Sequence, residues 1–218
     1  MEVKVVRDIL EVNEVIAQEN QRVFSERGIY VLNLMGSPGT GKTTLLERTL
    51  ERLRERWKVG VIEGDIATSQ DAERIARHGV PTVQINTGGA CHLDGNMIRG
   101  ALGELDLEGL DFLVVENVGN LVCPAEFRIG EDDKVMILSV TEGEDKPLKY
   151  PLMFQVSSAL LLNKMDLLPY VDFDLERFRQ YALKVNPRLE IMEISCKTGE
   201  GLDRWVQWLE GRISKKRG

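Results

Sequence analysis

Short runs of mainly apolar residues recur along the chain and alternate with longer segments in which apolar residues return every three or four positions. Runs such as Tyr30–Met35 and Ala159–Asn163 are largely apolar on both faces, which is typical of strands inside a parallel sheet. This pattern predicts strands at Tyr30–Met35, Lys58–Glu63, Thr82–Asn86, Asp111–Glu116, Lys134–Val140, Ala159–Asn163 and Leu189–Ser195.

The segments between these strands have the apolar spacing of helices and predict helices at Lys42–Arg56, Ser69–Arg77, Asp94–Glu104, Asp174–Val185 and Leu202–Arg212. Because strands and helices alternate over the whole length, we predict an α/β fold in which a mostly parallel sheet carries helices on both faces. Ahead of the first strand, Val6–Arg27 predicts an amphipathic helix. We expect one structural domain, in which residues 1–28 form a helix docked on the domain of residues 29–218.

Composition limits the partners and the compartment of the protein. The 28 basic and 35 acidic side chains give a net charge of -7, which disfavours unspecific attraction to nucleic acid or anionic lipid. No run approaches the roughly 18 apolar residues of a membrane-spanning helix, and the first residues lack the apolar core of a signal peptide. We therefore expect a cytoplasmic protein without a nucleic-acid or membrane partner. Three cysteines, an odd number, predict free thiols rather than a disulfide framework.

The stretch GSPGTGKTT follows the first predicted strand and begins a helix, as a phosphate-binding loop does. Its backbone N–H groups can face phosphate oxygens, Lys42 can reach the β- and γ-phosphates, and the Thr43 hydroxyl can bind Mg²⁺. The alternative is a glycine-rich turn without a ligand. We predict a nucleotide-binding segment formed by Gly36, Ser37, Pro38, Gly39, Thr40, Gly41, Lys42, Thr43 and Thr44.

Two later stretches predict that the base is guanine. LLLNKMD places Asn163, Lys164 and Asp166 at the end of a strand, and the Asp166 carboxylate can accept from the N1–H and amine of guanine. Adenine offers no such pair of donors on that edge. SCKTGEG supplies a second base loop, with Ser195, Cys196 and Lys197. After a phosphate loop, the two stretches together favour GTP over ATP.

The residues for magnesium and for hydrolysis are less sharply defined. Asp65 and Asp71 follow the second strand, where a carboxylate could approach Mg²⁺, although surface solvation is the alternative. Glu116 and Gly119 take the places of aspartate and glycine in the D-x-x-G pattern of GTPases. We predict Mg²⁺ at Thr43, Asp65 and Glu116 and catalytic roles for Lys42, Asp65 and Glu116. No glutamine is evident to orient water, so we expect slow intrinsic hydrolysis.

Cys91, His92 and Cys123 lie in loops that follow two of the predicted strands. Such loops meet at the carboxyl edge of a parallel sheet, and thiolate and imidazole suit Ni²⁺ or Zn²⁺. The alternative is two packed cysteines beside a loop histidine. Adjacent side chains point apart in a regular strand, so a metal site also requires a turn, which the nearby glycines permit, namely Gly88, Gly89 and Gly95.

Seven stretches, covering nearly the whole chain, resemble the HypB family of nickel-insertion GTPases: GSPGTGKTTL, EGDIATSQDAERI, INTGGACHLD, ENVGNLVCP, TEGEDKPLKYP, NKMDLLPY and SCKTGEG. The resemblance implies a SIMIBI-class GTPase that dimerises on GTP and binds nickel or zinc through Cys91, His92 and Cys123. It implies delivery of Ni²⁺ to the [NiFe]-hydrogenase large-subunit precursor, together with other hydrogenase maturation proteins. Lys146 and Lys149 are candidate contacts at the nucleotide or the dimer interface.

Two alternatives remain. The urease-type nickel-insertion GTPases are related but carry Cys-Pro-His where this chain has Cys-His. A regulatory G-domain with a structural zinc, or with no metal, is the other. Unlike many members of the family, the chain begins MEVKVVRDIL, without a cysteine cluster or a histidine tract, so we do not expect it to store nickel.

Overall fold

The computed structural model describes residues 5–65 and 70–218. Within these ranges, the strands are β1 to β7 at Tyr30–Met35, Val59–Asp65, Thr82–Asn86, Phe112–Glu116, Asp133–Ser139, Ala159–Asn163 and Glu190–Glu193. They form one sheet in the order β3-β2-β4-β1-β5-β6-β7, and every pairing among the described strands is parallel. The predicted α/β class with a parallel sheet is confirmed.

The α-helices in the described residues are α1 to α9 at Val5–Glu26, Lys42–Leu53, Gln70–Ala76, Gly95–Ala101, Cys123–Glu126, Lys146–Lys149, Pro151–Val156, Leu175–Val185 and Leu202–Arg217. All seven predicted strands are present, three with the predicted ends and four with ends that shift by one or two residues. The predicted helix ends were less accurate, because α2 ends at Leu53 rather than Arg56 and α9 continues to Arg217. The predicted helix start at Ser69 lies outside the described residues.

Helices cover both faces of the sheet, as predicted. On one face, α2 and α9 pack on alternate side chains of the central strands, including Leu32, Phe112 and Val114. On the other face, α1 and α4 pack on β2 and β4, while α7 and α8 cover β5 and β6. None of the described helices is long and apolar enough to cross a membrane.

The helix α1 is fixed to the domain by polar as well as apolar side chains. Phe24 is fully buried, but Ile9 and Val12, two apolar residues of the predicted amphipathic helix, are more than half exposed. Asn20 donates to the backbone oxygens of Gly95 and Ile129, at 2.8 and 3.1 Å. The amphipathic pattern therefore identified the helix but not the polar contacts that hold it.

Candidate functional site

A cleft of about 590 Å³ lies at the carboxyl edge of the sheet. In parallel α/β folds, the loops that leave this edge carry the ligand-binding side chains. The lining of the cleft comes from the phosphate loop and the start of α2, the ends of β2 and β4 with the loop after β4, helix α3, and Lys164: Pro38, Gly39, Gly41, Lys42, Thr43, Thr44, Glu63, Gly64, Asp65, Asp71, Arg74, Glu116, Asn117, Val118, Gly119 and Lys164.

The phosphate loop connects β1 to the first residue of α2, which is Lys42. The Lys42 ammonium donates to the carbonyl oxygens of Gly36 and Ser37, at 3.3 and 3.4 Å, and so lies over the loop. The Thr40 hydroxyl donates to the same Ser37 oxygen at 2.9 Å. Gly41 has a φ of 101°, a left-handed conformation that glycine adopts without strain. The loop thus holds a cation and a helix N-terminus at one place, which suits an anionic ligand.

The two predicted base loops lie beside the phosphate loop and are bonded to it. The side-chain amide of Asn163 donates to the Thr40 oxygen at 2.8 Å and accepts from the Cys196 N–H at 3.0 Å. The Lys164 ammonium donates to the Gly39 oxygen at 2.8 Å. The structure therefore brings together the three segments that the sequence analysis assigned to one nucleotide.

Asp166 has its carboxylate oriented by the second base loop. Its Oδ1 accepts from the Ser195 hydroxyl at 2.6 Å, and the exposed Lys197 ammonium lies 4.0 Å from Oδ2. The Cys196 side chain is buried, and burial raises the pKa of its thiol to about 11. Cys196 is therefore a packed neutral thiol in a loop whose backbone contributes the contacts.

A pair of buried carboxyl groups lies under the phosphate loop. Glu63 on β2 is directly opposite Glu116 on β4, and the Thr43 hydroxyl donates to Oε1 of Glu116 at 3.0 Å. Among the described residues, one oxygen of each carboxyl has no hydrogen-bond partner. Burial is the main cause that raises the pKa of each group, and the neighbouring carboxyl raises the pKa of Glu63 further. Carboxylates with a hydroxyl form a donor set that fits Mg²⁺.

Glu63 was missed by the sequence analysis, which assigned only Asp65 and Glu116. Nothing in the run of β2 marks its carboxyl group, because the strand order that puts it beside Glu116 is not visible in the sequence. Asp65, predicted to follow the second strand, is the last residue of β2 and lines the cleft.

Arg74 on α3 is a second residue that the sequence analysis missed. Its guanidinium pairs with Glu47 at 2.6 Å and with Asp71 at 3.0 Å. Asp71 is thus held at the side of the cleft by an ion pair rather than pointing freely into solvent.

Cys91, His92 and Cys123 are brought together at the same edge of the sheet. The two sulfur atoms are 3.0 Å apart, and Sγ of Cys91 lies 3.8 Å from Nδ1 of His92. All three potential ligand atoms lie within 4.8 Å of one another. The expected turn is present, since the Ala90 N–H donates to the Thr87 oxygen at 3.2 Å.

The surroundings of the cluster set its protonation. The His92 ring stacks on Phe127 with 3.9 Å between centroids, and burial lowers the pKa of the imidazole. The hydrogen bond with Cys91 raises the pKa of the Cys123 thiol. A neutral imidazole and two adjacent thiols form a donor set for a soft or borderline cation such as Ni²⁺ or Zn²⁺.

The strand, phosphate loop and helix, with the cleft they border, define a P-loop nucleotide-binding protein. A family model described as CobW/HypB/UreG, nucleotide-binding domain, matches residues 30–193. The chain belongs to the HypB family: it is 55% identical over 208 residues to the hydrogenase maturation factor HypB of Azotobacter vinelandii, covering 95% of this chain and 68% of the relative.

Two further similarities support this assignment. The hydrogenase/urease maturation factor HypB of Helicobacter pylori is 40% identical over 220 residues, covering 99% of this chain and 89% of the relative. The crystal structure of HypB from Helicobacter pylori in complex with nickel has a TM-score of 0.89 at 39% identity, over 94% of this chain and 96% of that one.

Proposed function

We propose that the chain is a GTPase whose nucleotide cycle controls the binding and release of Ni²⁺ during maturation of a [NiFe]-hydrogenase. The observation that carries the proposal is the cluster of Cys91, His92 and Cys123, on loops that leave the same sheet edge as the phosphate loop. A relative with 55% identity is named a hydrogenase maturation factor, and a relative with 39% identity was crystallised with nickel.

We propose that GTP is the nucleotide that binds in the cleft. Asp166, oriented by Ser195, accepts from the guanine edge, while Lys164 covers the ring with its methylene stem. Lys42 leaves its two carbonyl partners and offsets the charge of the β- and γ-phosphates. Asn163 holds the phosphate loop against the base loop.

In this proposal Thr43, Asp65 and Glu116 hold Mg²⁺, whose chemistry is to neutralise charge on the β- and γ-phosphate oxygens. The unpaired oxygen of Glu116 and the adjacent Thr43 hydroxyl support this placement. The described residues that line the cleft do not include a glutamine to orient the attacking water. We therefore propose that intrinsic hydrolysis is slow.

We propose that Ni²⁺ is bound for transfer to another protein and is not a permanent cofactor. Three ligands leave at least one coordination position open, and Cys91 is exposed, so the ion can be received from and passed to another molecule. We propose that GTP favours a two-fold dimer that brings two such clusters together, with Lys146 and Lys149 as candidate contacts. The recipients are other hydrogenase maturation proteins and the hydrogenase large-subunit precursor.

A second candidate function is nickel delivery to urease. The observation in its favour is the relative from Helicobacter pylori, which is named a hydrogenase/urease maturation factor and spans nearly the whole of this chain. The chemistry of the cluster is the same for both recipients, so only transfer to the two apoenzymes distinguishes them.

The test combines metal binding with nucleotide hydrolysis on protein purified without an affinity tag. We expect Ni²⁺ to bind and to produce a sulfur-to-nickel absorption band that Cys91→Ala and Cys123→Ala abolish. Cys196→Ala is the matched control, because this third cysteine is buried away from the cluster. We expect Lys42→Ala to abolish or greatly slow GTP hydrolysis and to leave the amount of Ni²⁺ bound by the nucleotide-free protein at saturation nearly unchanged.

Light scattering in GDP and in a non-hydrolysable GTP analogue tests the dimer. Equal mass in both states would contradict it. Full Ni²⁺ binding by both cysteine variants would mean that the ion is bound elsewhere and that Cys91, His92 and Cys123 are not its ligands.

A further inference from the structure

Asn120 contacts the phosphate loop with its backbone and the metal-ligand loop with its side chain. Its N–H donates to the carbonyl oxygen of Gly36, the first residue of the phosphate loop, at 3.1 Å, and the two residues form an antiparallel bridge. Its side-chain Nδ2 donates to the Cys91 carbonyl oxygen at 3.3 Å. Its Oδ1 accepts from the N–H of Val122, which immediately precedes Cys123, at 2.8 Å. One residue therefore holds both cysteine segments and the phosphate loop.

The phosphate-loop end of this connection responds to Lys42. The Gly36 oxygen that accepts from Asn120 also accepts from the Lys42 ammonium at 3.3 Å. A nucleotide phosphate competes for that ammonium, which changes the hydrogen bonding of the carbonyl that Asn120 shares. Gly119 is packed so closely on the loop that a Cβ there would lie 2.8 Å from Cγ of Pro38. Because of this packing, a shift of the loop is passed to the segment that carries Asn120.

At the metal end of the connection, Leu93 is fixed to the sheet, whereas the position of Cys91 depends on the Asn120 side chain. The buried Asn117 accepts from the Leu93 N–H at 3.0 Å and donates to Oδ1 of Asn33 at 3.0 Å. Leu93, directly after His92, is thus anchored to the centre of the sheet. The Cys91 carbonyl is held by the half-buried Asn120 side chain, so movement of Asn120 turns Cys91 relative to the anchored Leu93.

We propose that Asn120 is the positioning residue through which the nucleotide on the phosphate loop alters the geometry of Cys91 and Cys123, and thereby the affinity for Ni²⁺. The inference rests on the proposed function, because it requires that one chain binds both ligands. By linkage, Ni²⁺ then changes nucleotide affinity by the same factor.

The experiment measures the Ni²⁺ dissociation constant by calorimetry and by sulfur-to-nickel absorption, with GDP and with a non-hydrolysable GTP analogue. In the unaltered protein we expect the two constants to differ by about 5- to 150-fold. In Asn120→Ala we expect them to agree within about twofold, because the backbone bond to Gly36 remains but the side-chain bonds are lost. Asn120→Asp keeps the acceptor for Val122 and loses the donor to Cys91, so its ratio should also fall.

Asn86→Ala is the matched control. Asn86 accepts from the Gly88 N–H at 3.0 Å in the same loop and supports its turn without the bridge that joins Asn120 to Gly36. We expect this variant to keep the ratio of the unaltered protein.

Several results would overturn the inference. The ratio meant here is that of the two Ni²⁺ dissociation constants, with GDP and with the GTP analogue. The results are an unchanged ratio in both Asn120 variants, an equal loss of Ni²⁺ affinity in both nucleotide states of these variants, or loss of the ratio in Asn86→Ala. The fourth is a ratio of one in the unaltered protein. The first three leave the proposed function standing if the unaltered protein binds Ni²⁺ and hydrolyses GTP, whereas a ratio of one would also contradict the proposed control of Ni²⁺ binding by the nucleotide. Failure of Ni²⁺ binding or of hydrolysis in the unaltered protein would instead overturn the proposed function itself.

Discussion

Nucleotide choice depends in our proposal on one carboxylate, that of Asp166, which Ser195 orients by a 2.6 Å hydrogen bond. Asp166→Asn replaces an acceptor by an amide that can donate, which matches the O2 carbonyl of xanthine and not the amine of guanine. We expect the variant to lose GDP affinity and to gain XDP affinity, with a change in preference of roughly 10⁴-fold.

Competition with a fluorescent nucleotide measures both affinities. Asp172→Asn, at an exposed nearby carboxylate, is the control and should bind as the unaltered protein does. Unchanged GDP affinity in Asp166→Asn would contradict the assignment.

The carboxyl pair of Glu63 and Glu116 predicts a dependence of stability on pH. Both folded-state pKa values are raised, mainly by burial. The folded state therefore keeps protons that the unfolded state releases above its pKa of about 4.3, so the free energy of unfolding falls as pH rises above that value. Glu63→Gln removes one of the two groups, and we expect a shallower decline in Mg²⁺-free and nucleotide-free protein.

Urea unfolding at several pH values measures this difference. Glu108→Gln, at an exposed carboxyl, should follow the unaltered protein. If the free energy of unfolding falls equally with pH in Glu63→Gln and in the unaltered protein, the carboxyl pair does not have the raised pKa values that its burial implies.

At the scale of elements, the four-residue helix α5 is held by a buried lysine. The Lys134 ammonium donates to the carbonyl oxygens of Pro124, Ala125 and Phe127, at 3.0, 2.8 and 3.0 Å. The first residue of this helix is Cys123. Lys134→Met leaves three carbonyls without this donor, and an unsatisfied buried group costs about 1–3 kcal/mol. We expect lower stability and Ni²⁺ affinity reduced by about 10- to 100-fold, as when other supporting contacts of metal sites are lost.

Calorimetric Ni²⁺ titration and urea unfolding test both effects. Lys215→Met, at an exposed lysine on α9, is the control. Lower stability with unchanged Ni²⁺ affinity would mean that α5 stays in place without Lys134.

The elements that the sequence predicted are those with enough length to show a period. Strand β6 is apolar at four of its five positions and fully buried, so its run was visible without any knowledge of its neighbours. Helices α5, α6 and α7 have only four to six residues, less than two turns, and show no repeat. A proline near the start of each was the available signal, since proline is favoured in the first helical turn.

The functional residues were likewise predictable only where a contiguous stretch of the sequence carries the signal. The phosphate loop and the base loops were predicted because each is a contiguous stretch whose spacing fixes its chemistry. Glu63, Arg74 and Asn120 were not assigned roles, because their contacts join strands, helices or loops that are far apart in the sequence and depend on the fold. Thr43 was assigned to Mg²⁺ and the nucleotide and lines the cleft, but its bond to Glu116 joins residues 73 positions apart.

At the scale of the whole molecule, α1 is joined to the segments behind both metal loops. Asn20 bonds to the backbone oxygens of Gly95 and Ile129, and Asn13 bonds to the Gly95 N–H at 2.8 Å. Gly95 follows His92 by three positions, and Ile129 follows Cys123 by six. We therefore propose that residues of α1 and the sheet unfold together, as parts of the one structural domain that the sequence predicts.

Asn20→Ala tests this cooperativity, because it leaves two buried carbonyls without their donor. We expect the free energy of unfolding to fall by about 1–3 kcal/mol. Tryptophan fluorescence should report the same shift as far-UV circular dichroism, although Trp57, Trp205 and Trp208 pack on the opposite face of the sheet from α1. Gln18→Ala is the control, since Gln18 is exposed and its side-chain amide donates to Glu14 one turn earlier in α1. If the fluorescence transition stays in place while the circular dichroism shifts, α1 unfolds as an independent helix.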